Sequence, residues 1–205
     1  MRRAIICLCV IVLIAGTRTV AVASVYDYYY TSTIDLSAIG ENPATNVSVY
    51  FRYDTEAVPE QIRTDLGYAR YWVDGNFTVG EDAVTFTDAL IIVANNRPHI
   101  GGDAFGVTNL VPGTIMSGQI YGFDIYAFSF GLRDSDYASI DNLRPPEGNE
   151  VLDNFDWCRN AIWFEGGPNV ETIHVDYTVN AVLVPEPATL SLLALGGLAL
   201  LRKRK

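Results

Sequence analysis

Residues 47–54 read Val-Ser-Val-Tyr-Phe-Arg-Tyr-Asp. Val47, Val49, Phe51 and Tyr53 fall on one side of an extended chain, and Ser48, Tyr50, Arg52 and Asp54 on the other, because successive side chains of a strand point to opposite faces. A helix would scatter these apolar residues around its circumference, so the stretch predicts a half-buried β-strand. The same period of two extends outward. Residues Ala83 to Ala94 form a second run that ends in Leu90-Ile91-Ile92-Val93. Residues Gln119 to Leu132 read as a long aromatic strand or bent hairpin, with Tyr126, Phe128, Phe130 and Leu132 on one face and Ala127, Ser129 and Gly131 on the other. Ile173, Val175, Tyr177, Val179, Ala181 and Leu183 alternate with Thr172, His174, Asp176, Thr178 and Asn180. That pattern predicts a single last strand, since a slip of one residue would bury His174 and Asp176.

Turn signals separate the runs: Asp74-Gly75, Gly80-Glu81, Gly101-Gly102, Pro112-Gly113, Pro145-Pro146 and Gly166-Gly167-Pro168. Helical periodicity is scarce; the best candidate is a short turn or helix around Pro59 to Tyr68, with Glu60 and Asp65 on its exposed side. Many short strands punctuated by Gly and Pro predict an all-β fold, an antiparallel two-sheet sandwich or jelly roll. No repeat of about 20–50 residues is visible. One domain, Ser24 to Val184, is the economical division.

The two ends read as addresses. Met1-Arg2-Arg3 is a positive start, Ala4 to Gly16 is an apolar run of 13 residues, and Ala21-Val22-Ala23 is a small-x-small cleavage pattern. The run reaches about 20 Å as a helix, short of a bilayer core of roughly 30 Å. Residues 1–23 are therefore expected to be a signal peptide cut between Ala23 and Ser24, which implies signal peptidase and Sec-type export as partners. Cys7 and Cys9 lie within the apolar run, not at the first mature position that lipidation would need.

Removing both ends changes the charge. The whole chain carries −10, but residues 24–184 hold seven arginines, no lysine and 23 carboxylates, a net of −16. Such a domain repels nucleic-acid phosphates and anionic lipid. It contains no twelve-residue loop of the calcium-binding kind. Only Cys158 survives trimming, so no intrachain disulfide can form and stability rests on an apolar core. Cys158 is expected to be a small buried hydrophobe.

After Leu183 the alternation stops. Pro185-Glu186-Pro187 removes two ladder donors and holds the chain extended. Ala188 to Leu201 follows as 14 small or apolar residues, and Arg202, Lys203, Arg204 and Lys205 close the chain. The apolar run reaches about 21 Å as a helix, and Gly196-Gly197 weakens it by roughly 1 kcal/mol per glycine. Basic residues stay on the cytoplasmic side, so the acidic domain lies outside. The order Pro185-Glu186-Pro187, apolar segment, basic terminus resembles the PEP-CTERM sorting domain. The resemblance covers residues 185–205 and implies an exosortase substrate. Pro185, Glu186 and Pro187 would be the recognition motif for an exosortase-like membrane protease or transpeptidase. The short apolar helix would anchor transiently in the inner membrane, and Arg202 to Lys205 would be the stop signal. The expected destination is the outer envelope, cell surface or extracellular matrix. The ectodomain is also similar to globular domains found ahead of such tails, through Phe51-Arg52-Tyr53-Asp54-Thr55 with Pro59, and through Gly131-Leu132-Arg133-Asp134 with Leu143-Arg144-Pro145. That similarity implies a β-sandwich and no defined activity.

Chemistry is sparse between the ends. His99 and His174 sit in no metal-ligand spacing. No nucleophile elbow and no phosphate-cradling loop is present. No catalytic residue, metal or cofactor is expected. The carboxylate pairs Glu147/Glu150, Asp153/Asp156 and Asp134/Asp136 would suit a glycoside hydrolase only across a cleft. Tyr26, Tyr28, Tyr29, Tyr30, Tyr71, Trp72, Trp157 and Trp163 supply either a stacking face for sugar rings or cross-strand core pairs. The function expected first is a non-enzymatic, structural or adhesive envelope or matrix protein. The alternatives are a polysaccharide-binding module delivered to the same place, with exopolysaccharide as its partner, and last a glycoside hydrolase.

Overall fold

In the computed structural model, residues 45–54 form the expected strand, with Val47, Val49, Phe51 and Tyr53 buried and Ser48, Arg52 and Asp54 exposed. The structure describes residues 24–97, 102–110, 113–136, 139–140, 142–174 and 176–184. The expected signal segment with Ala23, the tail from Pro185, Glu186 and Pro187 through its apolar helix to Arg202, Lys203, Arg204 and Lys205, and His99 lie outside the described residues. No helix among the described residues is long and apolar enough to cross a membrane.

The described residues hold twelve strands: β1 (Val25–Ile34), β2 (Thr45–Asp54), β3 (Gln61–Arg63), β4 (Tyr68–Val79), β5 (Asp82–Arg97), β6 (Gly102–Thr108), β7 (Ile115–Ser117), β8 (Gln119–Ile120), β9 (Phe123–Asp134), β10 (Trp157–Phe164), β11 (Asn169–His174) and β12 (Thr178–Val184). One short helix, α1 (Asn149–Leu152), precedes β10. Every strand pair is antiparallel. The main path runs β11-β10-β9-β6-β5-β4-β2-β1-β12, with β3 added to β4, β7 to β5 and β8 to β9.

All-β and antiparallel are as expected, but the strands form one curled ladder in place of two separate sheets. Four strand intervals separate Tyr28 on β1 from Phe105 on β6, about 19 Å across a flat sheet. Their ring centroids are 5.2 Å apart. Six intervals separate Tyr30 from Asn160, about 29 Å if flat, yet the Tyr30 hydroxyl donates to Asn160 Oδ1 at 2.7 Å. Asn160 Nδ2 then donates to the Thr33 carbonyl at 2.8 Å, and the Asp35 N–H to Thr172 Oγ1 at 2.8 Å. The sheet therefore folds over its own core, and side chains join its two ends. Phe77, Phe86, Phe128 and Phe130 fill the middle, with Phe77 to Phe130 at 4.9 Å and Phe86 to Phe128 at 4.9 Å. Residues 142–156 are tied to the barrel-like core by tyrosine hydroxyls: Tyr28 donates to the Pro146 carbonyl at 2.5 Å, Tyr71 to that of Leu143 at 2.6 Å and Tyr177 to that of Phe155.

Two local expectations are corrected and two are met with added detail. The alternating run 172–183 is two strands at opposite ends of the path, because Cys158 pairs with His174 on β11 while Tyr29 pairs with Asn180 on β12. On β11 Val170 is buried and Ile173 points outward at 61% exposure. Asp74-Gly75 is not a turn: both lie inside β4, where the ladder to β5 shifts between Val73 and Gly75. Glycine is required there by close approach, since a Cβ would lie 2.2 Å from the Tyr50 carbonyl oxygen and 2.7 Å from Phe86 Cζ. Gln119 to Leu132 is the bent hairpin, but a β-bulge leaves Tyr126 extra opposite Trp163 and Phe164, so Tyr126 is exposed while Phe128 stays buried. The Asn109 side chain bridges that bulge, donating to the Tyr126 carbonyl at 3.0 Å and accepting the Phe128 N–H at 2.5 Å. Around Pro59 to Tyr68 the only helical element is a 3₁₀ turn at Thr64–Leu66, with Glu60 and Asp65 exposed.

Candidate functional site

The inward set Ala69, Tyr71 and Val73 on β4 sends Tyr68, Arg70 and Trp72 to the outer face. On β10 the inward residues Cys158, Ile162 and Phe164 send Trp157, Arg159 and Trp163 outward. The register then lines these residues up across the sheet. One row runs Tyr68–Ala94–Ala104–Arg133–Trp157 and the next Arg70–Ile92–Gly106–Gly131–Arg159. A third runs Trp72–Leu90–Thr108–Ser129–Ala161. On β6 the rows hold the small residues Ala104, Gly106 and Thr108, and on β9 Gly131 and Ser129, while Tyr68, Arg70, Trp72, Trp157 and Arg159 stand at row ends and Ala161 ends the third. The result is a shallow trough on the outer face, walled by β4 on one side and by β9 and β10 on the other, about 19 Å apart along the sheet. Trp72 and Trp157 stand on its two rims, and Trp163 lies further along the same face of β10, two residues beyond the third row. Trp72 is 44% exposed, and Trp157 and Trp163 are half-buried.

The trough is also where the arginines gather. Arg63, Arg70, Arg97, Arg133 and Arg159 lie on or beside it, five of the seven in residues 24–184. Arg63 is chelated by Asp65 at 3.0 and 2.9 Å, and Arg159 by Glu171 at 2.8 Å through each oxygen. The Arg159 hydrogen bonds hold the Glu171 carboxyl below its usual range. Arg70, Arg97 and Arg133 form no ion pair among the described residues. The Arg70 and Arg97 guanidiniums lie over the Tyr68 ring, 5.2 and 4.6 Å from its centroid. Burial first, then the charges of Arg159 and Arg97, push Arg133 down to about 10, so it is cationic at neutral pH.

The eight aromatics named from the sequence divide. Tyr28, Tyr30 and Tyr71 are core residues, with hydroxyls committed to internal acceptors. Tyr26 is half-buried, 6.4 Å from the Tyr28 ring. Tyr29 is exposed on the outer face of β1 against Tyr50, ring centroids 5.2 Å apart. Beside that pair Asp27 accepts from Arg52 Nε at 2.7 Å and from the Tyr50 hydroxyl at 2.9 Å, and the Arg52 bond holds its carboxyl below the usual range. Two residues beyond the Tyr29–Tyr50 pair along β1 and β2, an open hollow of about 660 Å³ includes Thr31, Ser48, Asp176 and Thr178 in its lining. Of the eight, Trp72 and Trp157 are in the rows of the trough, and Trp163 lies just beyond them on β10.

The carboxylate pairs do not face one another across it. Asp134 accepts the N–H groups of Asp136 at 2.9 Å and Ser139 at 2.8 Å, and Asp156 accepts the Ser135 N–H at 3.0 Å. Glu147 and Glu150 are exposed near α1. No group of three or more metal-ligating side chains occurs among the described residues. Cys158 is buried, with Ser32 Oγ at 3.3 Å. At the two ends of the described fold, the Ser24 N–H donates to Thr55 Oγ1 at 3.1 Å, and Val184 pairs with Val25.

The arginines were not singled out from the sequence. A signal was present: Arg70-Tyr71-Trp72 and Trp157-Cys158-Arg159 each place Arg and Trp two residues apart, on one face of any strand.

Comparison with known families assigns the tail. Residues 183–205 match the PEP-CTERM protein-sorting motif, so its first two residues, Leu183 and Val184, belong to β12. That motif marks exported proteins anchored transiently in the membrane before release, and it implies processing by an exosortase-like membrane enzyme. No curated relative and no solved structure matches the chain.

Proposed function

We propose that this is a non-enzymatic adhesive protein of the cell envelope or extracellular matrix, exported by a Sec-type route, freed of residues 1–23 by signal peptidase and released through Pro185-Glu186-Pro187. Residues 24–184 act as the delivered module, and the trough between β4 and β10 is its polysaccharide-binding face. One observation carries the reading: Trp72 and Trp157, 85 residues apart in sequence, are brought by the register to opposite rims of one outer surface, with Trp163 further along the same face of β10. Exposed tryptophan beside a small-residue floor suits sugar rings, whose C–H faces pack on indole while their hydroxyls stay wet.

Affinity electrophoresis of the full chain in detergent, on gels cast with soluble polysaccharides, tests this. Trp72→Ala should weaken binding by about 2 kcal/mol, the scale of a binding hot spot, or roughly 30-fold. Retention unchanged in Trp72→Ala and in Trp157→Ala would remove the trough as the binding face.

A further inference from the structure

The trough's charge is opposite to that of the domain that carries it. Residues 24–184 hold 23 carboxylates for seven arginines, so an arginine needs little searching to find a partner. Arg70, Arg97 and Arg133 nevertheless form no ion pair among the described residues. Arg70 Nε and Arg97 Nε are buried with no hydrogen-bond partner. A buried donor left unpaired is unfavourable in the free protein. Arg133 sits close enough to Arg97 and Arg159 for their charges to act on it. Like charges gathered at a half-buried surface repel one another, and an incoming anion relieves that repulsion.

The floor supplies a place for the anion. Beside Arg133 a hollow of about 40 Å³ includes Ala104, Gly106, Ser129 and Gly131 in its lining. A water needs roughly 10–15 Å³ of such space, so the hollow takes a charged group of a few atoms while a sugar ring stays above it. The two glycines face each other across β6 and β9, and a Cβ on Gly106 would lie 2.4 Å from the Phe130 carbonyl oxygen. At Gly106 the floor stays low because the facing backbone leaves no room for a side chain. Guanidinium forks match carboxylate and sulfate oxygens in pairs.

We propose that the trough takes an acidic polysaccharide, with Arg97 and Arg133 as the receptors for its carboxylate or sulfate groups and Arg70 beside them. The inference rests on the reading of the trough as a polysaccharide face and adds the charge of the ligand.

The test uses the full chain in detergent and four polymers: polygalacturonate, its fully methyl-esterified form, dextran sulfate and dextran. Polygalacturonate or dextran sulfate should bind at least tenfold more tightly than its uncharged counterpart, and which of them does so identifies carboxylate or sulfate as the anion. The double variant Arg97→Gln/Arg133→Gln should lose at least tenfold on the acidic polymer. Arg144→Gln, an arginine remote from these rows, should bind as the parent does. Far-UV circular dichroism and thermal melting separate lost binding from lost folding; with repulsion relieved, Arg133→Gln alone should melt no lower than the parent. Equal binding to charged and uncharged polymers overturns the anion inference and leaves the polysaccharide reading standing. Binding to none of the four overturns both. Undiminished acidic binding by the folded double variant places the receptor elsewhere. Self-association that the double variant abolishes, without polymer binding, makes a second copy's acidic surface the occupant and refutes the proposal.

Discussion

Tyr30→Phe removes one oxygen and adds no bulk, which makes it a sharp probe of how the sheet closes. The Tyr30 hydroxyl on β1 donates to Asn160 Oδ1 on β10 at 2.7 Å. Asn160 has 0% exposure, so no water replaces the lost donor, and an orphaned acceptor of this kind costs about 1–3 kcal/mol. Asn160→Leu is worse, because it strands the Tyr30 hydroxyl and removes the donor to the Thr33 carbonyl; two groups at that scale amount to about 2–6 kcal/mol. The double variant no longer strands the hydroxyl. It should be less destabilised than the sum of the two, with a coupling of about 1–2 kcal/mol. Urea unfolding of parent, singles and double closes the cycle. Thermal melting gives a second readout at about 2–4 °C per kcal/mol for a domain of this size. A Tyr30→Phe variant within about 0.5 kcal/mol of the parent, or a coupling near zero, would refute the claim that the two ends of the ladder meet through this pair.

Three further outcomes are expected. Burial raises the hydroxyl pKa of Tyr28, Tyr30, Tyr53 and Tyr177 above the usual 10.0, Tyr177 to about 12; the folded state prefers neutral phenols, so stability is intact below pH 10 and declines as pH rises through 10 toward 12, which urea midpoints at pH 8 and pH 11 would show. Gly75→Ala places a Cβ against the Tyr50 carbonyl and the Phe86 ring and should destabilise by about 1–3 kcal/mol, although the sequence alone would treat it as a mild change in a turn. Tyr126→Ser should stay within about 0.5 kcal/mol of the parent while Phe128→Ala costs about 3–5 kcal/mol; equal losses would contradict the bulge that turns Tyr126 outward.

The strand residues 45–54 were legible because one face is buried and the other wet, so composition records the pleat. The run 172–183 misled for the same reason. Period two reports an extended chain and does not name its neighbour. Residues 172–174 and 178–183 alternate alike, but one piece pairs with β10 and the other with β1. Asp74-Gly75 looked like a turn because glycine serves turns and close backbone approaches equally; only the position of Tyr50 and Phe86 decides between them. The sorting motif at residues 183–205 was legible, being an address read along the chain rather than a product of folding. The trough was half legible. Arg70 with Trp72, and Trp157 with Arg159, announce their shared faces locally. That those faces flank a floor of Ala104, Gly106 and Gly131 depends on a register set by strands far apart in sequence.

Because Trp72 and Trp157 stand on the trough and Trp163, the remaining tryptophan, lies on the same face of β10, their fluorescence reports on that face. Titrating the full chain with polygalacturonate, dextran sulfate and dextran, with acrylamide quenching at each step, is the most direct test of the trough as a polysaccharide face. The account predicts a saturable emission change and reduced quenching with at least one polymer, both diminished in Trp72→Phe. A polymer that is retained on affinity gels yet leaves emission and quenching untouched, or the absence of any response to all three, would contradict it.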